Sequence, residues 1–236
     1  MYLELILLVL LGLFILLFVS TAFLEKQRIH DFVPASPGQE PASAPYFVAM
    51  NAAARDLGFV PAGLFFQNRG SRVYQACIAL WVSPNSETLL RICGGKTAGV
   101  PIKRTTLISF VEPDRILETY DEFGMIDLSG LTERDLVLNG DLNELWDRHE
   151  ERLIASTGQK RAFSAAEALA ACEAMQAMKA SQMQKLGLGK FLNADRTFWR
   201  HTLKGAVQSY FIGFRSQLDA GKAQIERTKR KRPGHQ

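Results

Sequence analysis

The stretch VYQACIALWVSPNSETLLRIC, residues 73–93, decides the fold of this chain. Two runs rich in apolar, β-branched and aromatic residues flank the turn sequence SPNS. This pattern predicts an antiparallel hairpin, because parallel pairing needs a crossover of about a dozen residues. Residues 73–82 carry apolar side chains on both faces of the strand, which predicts a central strand that is covered on both sides.

The register of this hairpin bears on two cysteines. If the chain turns at Pro84 and Asn85, Cys77 pairs with Ile92. Cys77 and Cys93 then lie on opposite faces of the sheet, because side chains alternate along a strand. The sequence therefore predicts no disulfide between them.

Similar runs on either side extend the sheet, and short turns such as NRGS and EPD connect them. We predict about five antiparallel strands, at residues 59–66, 73–82, 87–93, 105–111 and 115–121. A helix is expected before the first strand, over residues 46–57, because Pro45 favours its start and Gly58 its end.

In the second half of the chain the apolar period changes to that of a helix. Three C-terminal helices are predicted, at residues 141–155, 164–187 and 195–220. The second begins with a capping-box pattern from Ser164 to Glu167. The fold class is therefore α+β, in one domain at residues 46–221, with a sheet part at 46–139 and a helical part at 140–221.

The N-terminus carries a long apolar run after a short tail of residues 1–4. Residues 5–24 contain no charge, and 16 of the 20 are Leu, Ile, Val or Phe. As a helix this run is about 30 Å long, which matches the hydrocarbon core of a bilayer. We predict a permanent transmembrane helix. The alternative is a cleaved signal peptide with its site at Ser20-Thr21-Ala22, but the run is long for one and no Lys or Arg precedes it.

Two cations that flank the anchor, Lys26 and Arg28, orient it. Positive charge on this side favours a cytoplasmic C-terminal domain. Three cysteines without a CxxC motif agree with a reducing compartment. The localisation predicted is single-pass in a membrane, with the domain in the cytoplasm.

Residues 25–45 are predicted to be a Pro-rich linker. Four of the nine prolines fall within residues 31–45, which favours an extended spacer between membrane and domain.

The C-terminal tail, residues 222–236, is strongly basic while the whole chain has a net charge of +4. Its cations are Lys222, Arg227, Lys229, Arg230, Lys231 and Arg232. They suit contact with anionic lipid headgroups, and a solubilising end is the plain alternative. Nucleic acid is disfavoured as a partner, because no aromatic residues are interleaved for base stacking.

No catalytic, metal-binding or cofactor-binding residues are assigned, and no cofactor is expected. GGKTAG at residues 94–99 matches only the end of a phosphate-loop pattern, and Gly99 and Pro101 disfavour the helix that such a loop needs. We predict a wide hairpin loop there. The histidines stand singly at residues 30, 149, 201 and 235, without metal-ligand spacing. Acidic residues cluster around the fourth and fifth strands, at Glu112, Asp114, Glu118, Asp121, Glu122 and Asp127.

Two classes of function follow. The favoured one is a membrane-anchored, non-catalytic binding module with an unidentified protein partner or ligand. The alternative is a membrane-tethered enzyme whose site forms in three dimensions from residues such as His149, His201 and the acidic cluster. A cavity with converging ionisable groups favours the enzyme, and a featureless surface favours the module.

Overall fold

The α+β class is confirmed by the structure, which is a computed structural model. It describes residues 4–5, 9, 12–13, 15–16, 23–24, 26–29, 31–35, 44–67, 74–97, 100–112, 114–121, 128–138, 140–209 and 211. Two sheets and the helices packed on them form the described part of the domain.

The main sheet has seven strands in the order β2 to β8. They are β2 (Phe32–Pro34), β3 (Val60–Gln67), β4 (Tyr74–Val82), β5 (Leu89–Thr97), β6 (Val100–Val111), β7 (Arg115–Tyr120) and β8 (Thr132–Leu136). Neighbours pair antiparallel except β7 and β8, which are parallel. The sheet is thus larger than the predicted five strands, and it is mixed rather than antiparallel.

The two additional strands lie at the edges of this sheet, where the sequence signal is weakest. β2 has only three residues and includes Pro34. β8 has the sequence TERDL, which shows no apolar alternation. An edge strand is paired on one side only and tolerates both proline and polar residues.

Helices cover both faces of the main sheet. They are α1 (Ala44–Asp56), α2 (Leu142–Ala155) and α3 (Ala168–Lys185), with a short 3-10 helix at Ala165–Glu167 before α3. α1 and α2 pack on one face, through Phe47 and Leu145, and α3 packs on the other, through Met175. The predicted capping box is present, because the Glu167 carboxylate accepts a hydrogen bond of 2.9 Å from the Ser164 N–H.

The cysteine arrangement is as expected, although the register differs by two residues. Cys77 pairs with Gly94 rather than Ile92, because the loop runs from Ser83 to Thr88 instead of two residues. A shift of two keeps every side chain on its face, so Cys77 and Cys93 still point to opposite sides. All three cysteines are buried, and none of them forms a disulfide.

The glycine-rich residues do not form a wide loop. β5 continues to Thr97 and β6 starts at Val100, with Gly95 paired to Ile102 across the hairpin. A strand, not a helix, follows Lys96, so the residues after it cannot present helical N-terminal amides to a phosphate.

A second, three-stranded sheet corrects the prediction of a helix over residues 195–220. It contains β1 (Gln27–Arg28), β9 (Gly189–Phe191) and β10 (Phe198–His201), in the order β1-β10-β9. Helical conformation begins only at residue 203 and is described at residues 203–209 and 211. The aromatic pair at the start of the expected stripe instead belongs to a strand, because β1 and β9 both supply partners for it.

The N-terminal segment also differs from the expected spacer. Residues 27–28 pair with β10 and residues 32–34 pair with β3, so much of the sequence between 25 and 35 belongs to the domain. Residues 36–43 lie outside the described residues.

Among the residues that the structure describes, no helix is both long and apolar enough to cross a membrane. Most of residues 5–24, and all of the basic tail at 222–236, lie outside the described residues. The transmembrane helix and the lipid contact of the tail therefore stay predictions.

Candidate functional site

A cavity of about 270 Å³ lies between α3, the face of the main sheet that α3 covers, and the small sheet. Its cationic lining residues are Arg28, Arg91, Arg104, Arg134 and Lys179. None of the described residues that line it is Asp or Glu. The cavity therefore concentrates positive charge without an acidic group in its described wall.

The strand registers explain why these cations converge. Arg91 on β5 pairs with Thr106 on β6, and Arg104 lies two residues before Thr106, hence on the same face. Arg134 on β8 reaches the same face through its pairing with Glu118 on β7. α3 crosses above this face and adds Lys179.

Glu118 lies at the base of the cavity and is 1% exposed. One carboxylate oxygen accepts from Lys179, and the other accepts from Arg134 Nε at 3.0 Å. Burial opposes ionisation of this carboxyl, but the charges of Lys179 and Arg134 outweigh it and lower the pKa of Glu118 to about 2. Glu118 is ionised at neutral pH, and both of its oxygens are already engaged.

Arg91 is 8% exposed and has no carboxylate partner within the described part of the chain. Its Nε finds no hydrogen-bond acceptor there either. Its neighbour on α3 is Cys172, a thiol whose pKa is raised by burial against the charges of Arg91 and Lys179. Because this thiol stays neutral at neutral pH, it does not balance the Arg91 charge.

The rest of the cavity wall is largely apolar. It includes Ile29, Leu128, Met175, Met183 and Trp199. His201 also lines the cavity, and its ring lies 4.9 Å from that of Trp199 in an edge-to-face arrangement. Because Gln27, Arg28 and Ile29 belong to this wall, the segment directly after the N-terminal apolar run helps to build the site.

The opposite face of the main sheet contains a buried polar network around His149. Its Nε2 lies 2.9 Å from Ser109 Oγ, and its Nδ1 lies 3.0 Å from Thr119 Oγ1. Burial, and then the charge of Arg152, lower the pKa of His149 to about 3. Ser109 and His149 resemble a nucleophile and its base, but both are 0% exposed. No substrate can reach this pair, so it stabilises the interior.

A groove between α1 and β3 is the main alternative site. It is apolar apart from Asn51 and Arg55, and Asn51 is already bound to Trp81 Nε1 at 2.8 Å. The guanidinium carbon of Arg55 lies 5.7 Å from the centre of the Trp81 ring. Groups that are already engaged with each other leave little to bind a polar ligand.

The residues considered for an enzyme site are brought together only in part, since His201 lines the cavity and Glu118 contacts two of its lining cations. His149 and His201 lie on opposite sides of the main sheet. Of the acidic cluster, Glu118 lies below the cavity, whereas Asp121 accepts hydrogen bonds from Tyr46 and the Thr105 N–H on the other face. Glu122 and Asp127 lie outside the described residues.

Metal binding finds no support in the described ranges, which contain no group of three or more His, Cys, Asp or Glu side chains placed to hold an ion.

Sequence reasoning missed the cationic cavity. One signal was present: Arg91 interrupts the otherwise apolar run LLRIC in a central strand. A charge at such a position requires a partner or a ligand. Nothing local in the sequence, however, brings Arg104, Arg134 and Lys179 to the same place.

Comparison with known proteins yields no matching family model, no matching curated protein and no matching solved structure. Function is therefore inferred from the geometry of the cavity.

Proposed function

We propose that this chain is a single-pass membrane-anchored protein whose cytoplasmic α+β domain is a non-catalytic binding module. The nine described residues between Glu4 and Leu24 are all helical. Their large apolar side chains are more than half exposed at Leu5, Val9, Leu13, Leu16 and Leu24. Exposed leucines along a helix are stable in lipid and costly in water, which supports a membrane location.

The observation that carries the binding role is the single sign of charge in the cavity. General acid–base catalysis needs groups that exchange protons, and usually pairs groups of different acidity. Guanidinium groups stay protonated, and Lys179 is held by Glu118. Such a wall binds an anion well and transfers protons poorly.

An enzyme remains the second candidate, because the cavity brings ionisable groups together, and this is the feature that was expected of an enzyme site. His201 is the specific observation in its favour, since it is the one imidazole among the described lining residues. Imidazole is the side chain most often used for proton transfer.

Membrane extraction tests the anchor. Full-length protein should stay in the membrane pellet after alkaline carbonate washing, with an intact N-terminus. Replacing Val9 and Leu13 together with Arg should release it, because each charge near the helix centre costs about 3 kcal/mol. Leu24→Arg is the matched control and should stay membrane-bound, because its charge can reach the interface. A mature chain starting at Phe23 contradicts the anchor.

Protease protection tests the orientation that Lys26 and Arg28 suggest. The domain should resist protease added to intact cells and be digested after permeabilisation. Digestion without permeabilisation would reverse the assignment.

Analysis of the bound ligand separates the module from the enzyme. Molecules extracted from the purified protein should be recovered chemically unchanged after prolonged incubation. A product that accumulates with time in the wild type, and not in His201→Gln, would favour the enzyme.

A further inference from the structure

We propose that the cationic cavity binds a phosphate group, and that the headgroup of an anionic phospholipid supplies it. The proposal deepens the binding role proposed above and names the ligand class of that site. Three features of the molecule support it: the charge of the cavity, the state of Arg91, and the position of the cavity relative to the anchor.

The described wall of the cavity carries charge of one sign. Five cations line it, and the buried carboxylate of Glu118 contacts two of them, Lys179 and Arg134. Arg side chains present several N–H donors in a fixed plane, which suits the oxygens of a phosphate. A bound anion would meet several such donors in this wall.

Arg91 is the strongest single indication of a ligand. A buried guanidinium costs several kcal/mol unless it is paired. Arg91 is only 8% exposed, and its Nε has no acceptor among the described residues. It lines the cavity, so an anion bound there would supply the missing acceptor.

The position of the cavity favours a lipid as the source of the phosphate. Gln27 and Arg28 line the cavity, and only two residues separate Leu24 from Gln27. Three residues of extended chain span at most about 10 Å. The Arg200 guanidinium carbon lies 5.4 Å from the centre of the Phe23 ring, which also ties the end of the apolar run to β10. With that run in a bilayer, the cavity lies at the depth of the lipid headgroups.

The apolar part of the wall agrees with an amphiphilic ligand. Met175, Met183 and Trp199 offer surface for the glycerol and upper acyl atoms of a lipid. A small hydrophilic phosphate would leave this surface unused.

Native mass spectrometry of the full-length protein in a non-ionic detergent tests the proposal. Phosphatidylglycerol and phosphatidylcholine are added separately, and retained lipid is counted. The wild type should retain one phosphatidylglycerol in preference to phosphatidylcholine. Arg91→Met should weaken this binding about tenfold or more, because it removes a charge-assisted hydrogen bond. A second variant, Arg104→Gln, should weaken it in the same direction.

The controls distinguish binding in this cavity from nonspecific attraction of lipid to positive charge elsewhere on the protein. Arg148→Met removes a 54% exposed cation outside the cavity and should leave lipid retention unchanged. Without lipid, Arg91→Met should melt at the wild-type temperature or above it, because it removes an unpaired buried charge. A clear fall in melting temperature would contradict the uncompensated state of Arg91.

Experiments with soluble phosphate compounds distinguish a lipid headgroup from a free phosphate as the ligand. Glycerol 3-phosphate and inorganic phosphate are added to the same protein, and the melting temperature is recorded. If these compounds raise the melting temperature only when Arg91 is present, and no lipid is retained, the phosphate site stands but its lipid source is overturned. No Arg91-dependent binding in any arm overturns the site. None of these readouts depends on membrane insertion, so a failed anchor and a failed site give different results.

Discussion

Gln27 pairs with Trp199 in an antiparallel ladder, which joins the segment after the N-terminal apolar run to a strand near the C-terminal end of the domain. Ile29, two residues further on, donates its N–H to the Thr197 carbonyl at 3.0 Å and is 2% exposed. Residues 27–29, at the start of the expected linker, thus belong to the domain and form one wall of the cationic cavity.

Ile29→Ala should therefore destabilise the domain by about 3 kcal/mol, because it leaves a cavity in a packed site. Chemical denaturation of the detergent-solubilised protein measures the effect. Val33→Ala is the matched control, since Val33 is 60% exposed on β2, and should change stability by less than about 0.5 kcal/mol. Equal and negligible effects would mean that this segment is a loose tether after all.

Glu118→Gln should destabilise the domain by about 3 kcal/mol at neutral pH, because it leaves Lys179 and Arg134 partly buried without their counter-charge. Glu133→Gln removes a 50% exposed partner of Arg115 and should cost less than about 1 kcal/mol. Similar losses for the two variants would contradict the central place of Glu118.

The wild type should also lose stability in acid through Glu118. Its pKa is lowered from 4.5 to about 2 in the folded protein. The stabilisation is fully present above pH 4.5 and is lost as the pH falls towards 2, because the unfolded chain takes up the proton first. Across this range the free energy of unfolding, measured by denaturation at each pH, should fall more steeply with falling pH for the wild type than for Glu118→Gln.

His149 should make folding sensitive to pH in a higher window. Its pKa falls from 6.5 to about 3 on burial, so below pH 6.5 the unfolded chain binds a proton that the folded protein does not. Stability should decline by about 1.4 kcal/mol per pH unit from this source. Comparing pH 6.5 with pH 4.5, His149→Gln should abolish that part of the decline.

Ser109→Ala is the control for the His149 prediction. It removes the hydroxyl that contacts Nε2 and should lower stability by about 1–3 kcal/mol. It keeps the imidazole buried, however, so the slope with pH should match that of the wild type. A flat slope in the wild type would show that His149 is protonated in the folded protein.

The three cysteines should stay reduced and unreactive in the folded protein. Cys77, Cys93 and Cys172 are 1%, 3% and 0% exposed. Intact-mass measurement after mild oxidation should show no loss of hydrogen, and thiol labelling should proceed only as the domain unfolds. A Cys77–Cys93 crosslink in folded protein would contradict the opposite faces that the register gives them.

The sequence by itself determined the features that depend on near neighbours along the chain. Residues 74–97 form the expected hairpin, α1 and α2 match their patterns closely, and Ser164 and Glu167 form the expected capping box. Even the wrong register left Cys77 and Cys93 on the correct faces, because side-chain alternation depends on parity alone. These signals are local, since periodicity and capping act within a few residues.

Only the tertiary structure decided the pairings between distant segments and the site that they build. Gln27 and Trp199 lie 172 residues apart in the sequence. A short strand without a local partner carries no periodic signal of its own. The same holds for Arg91, Arg104, Arg134 and Lys179, which come from three strands and a helix. Each is an ordinary cation in its own segment. Their convergence depends on strand order, register and helix placement together, and these are fixed by the packing of the whole domain.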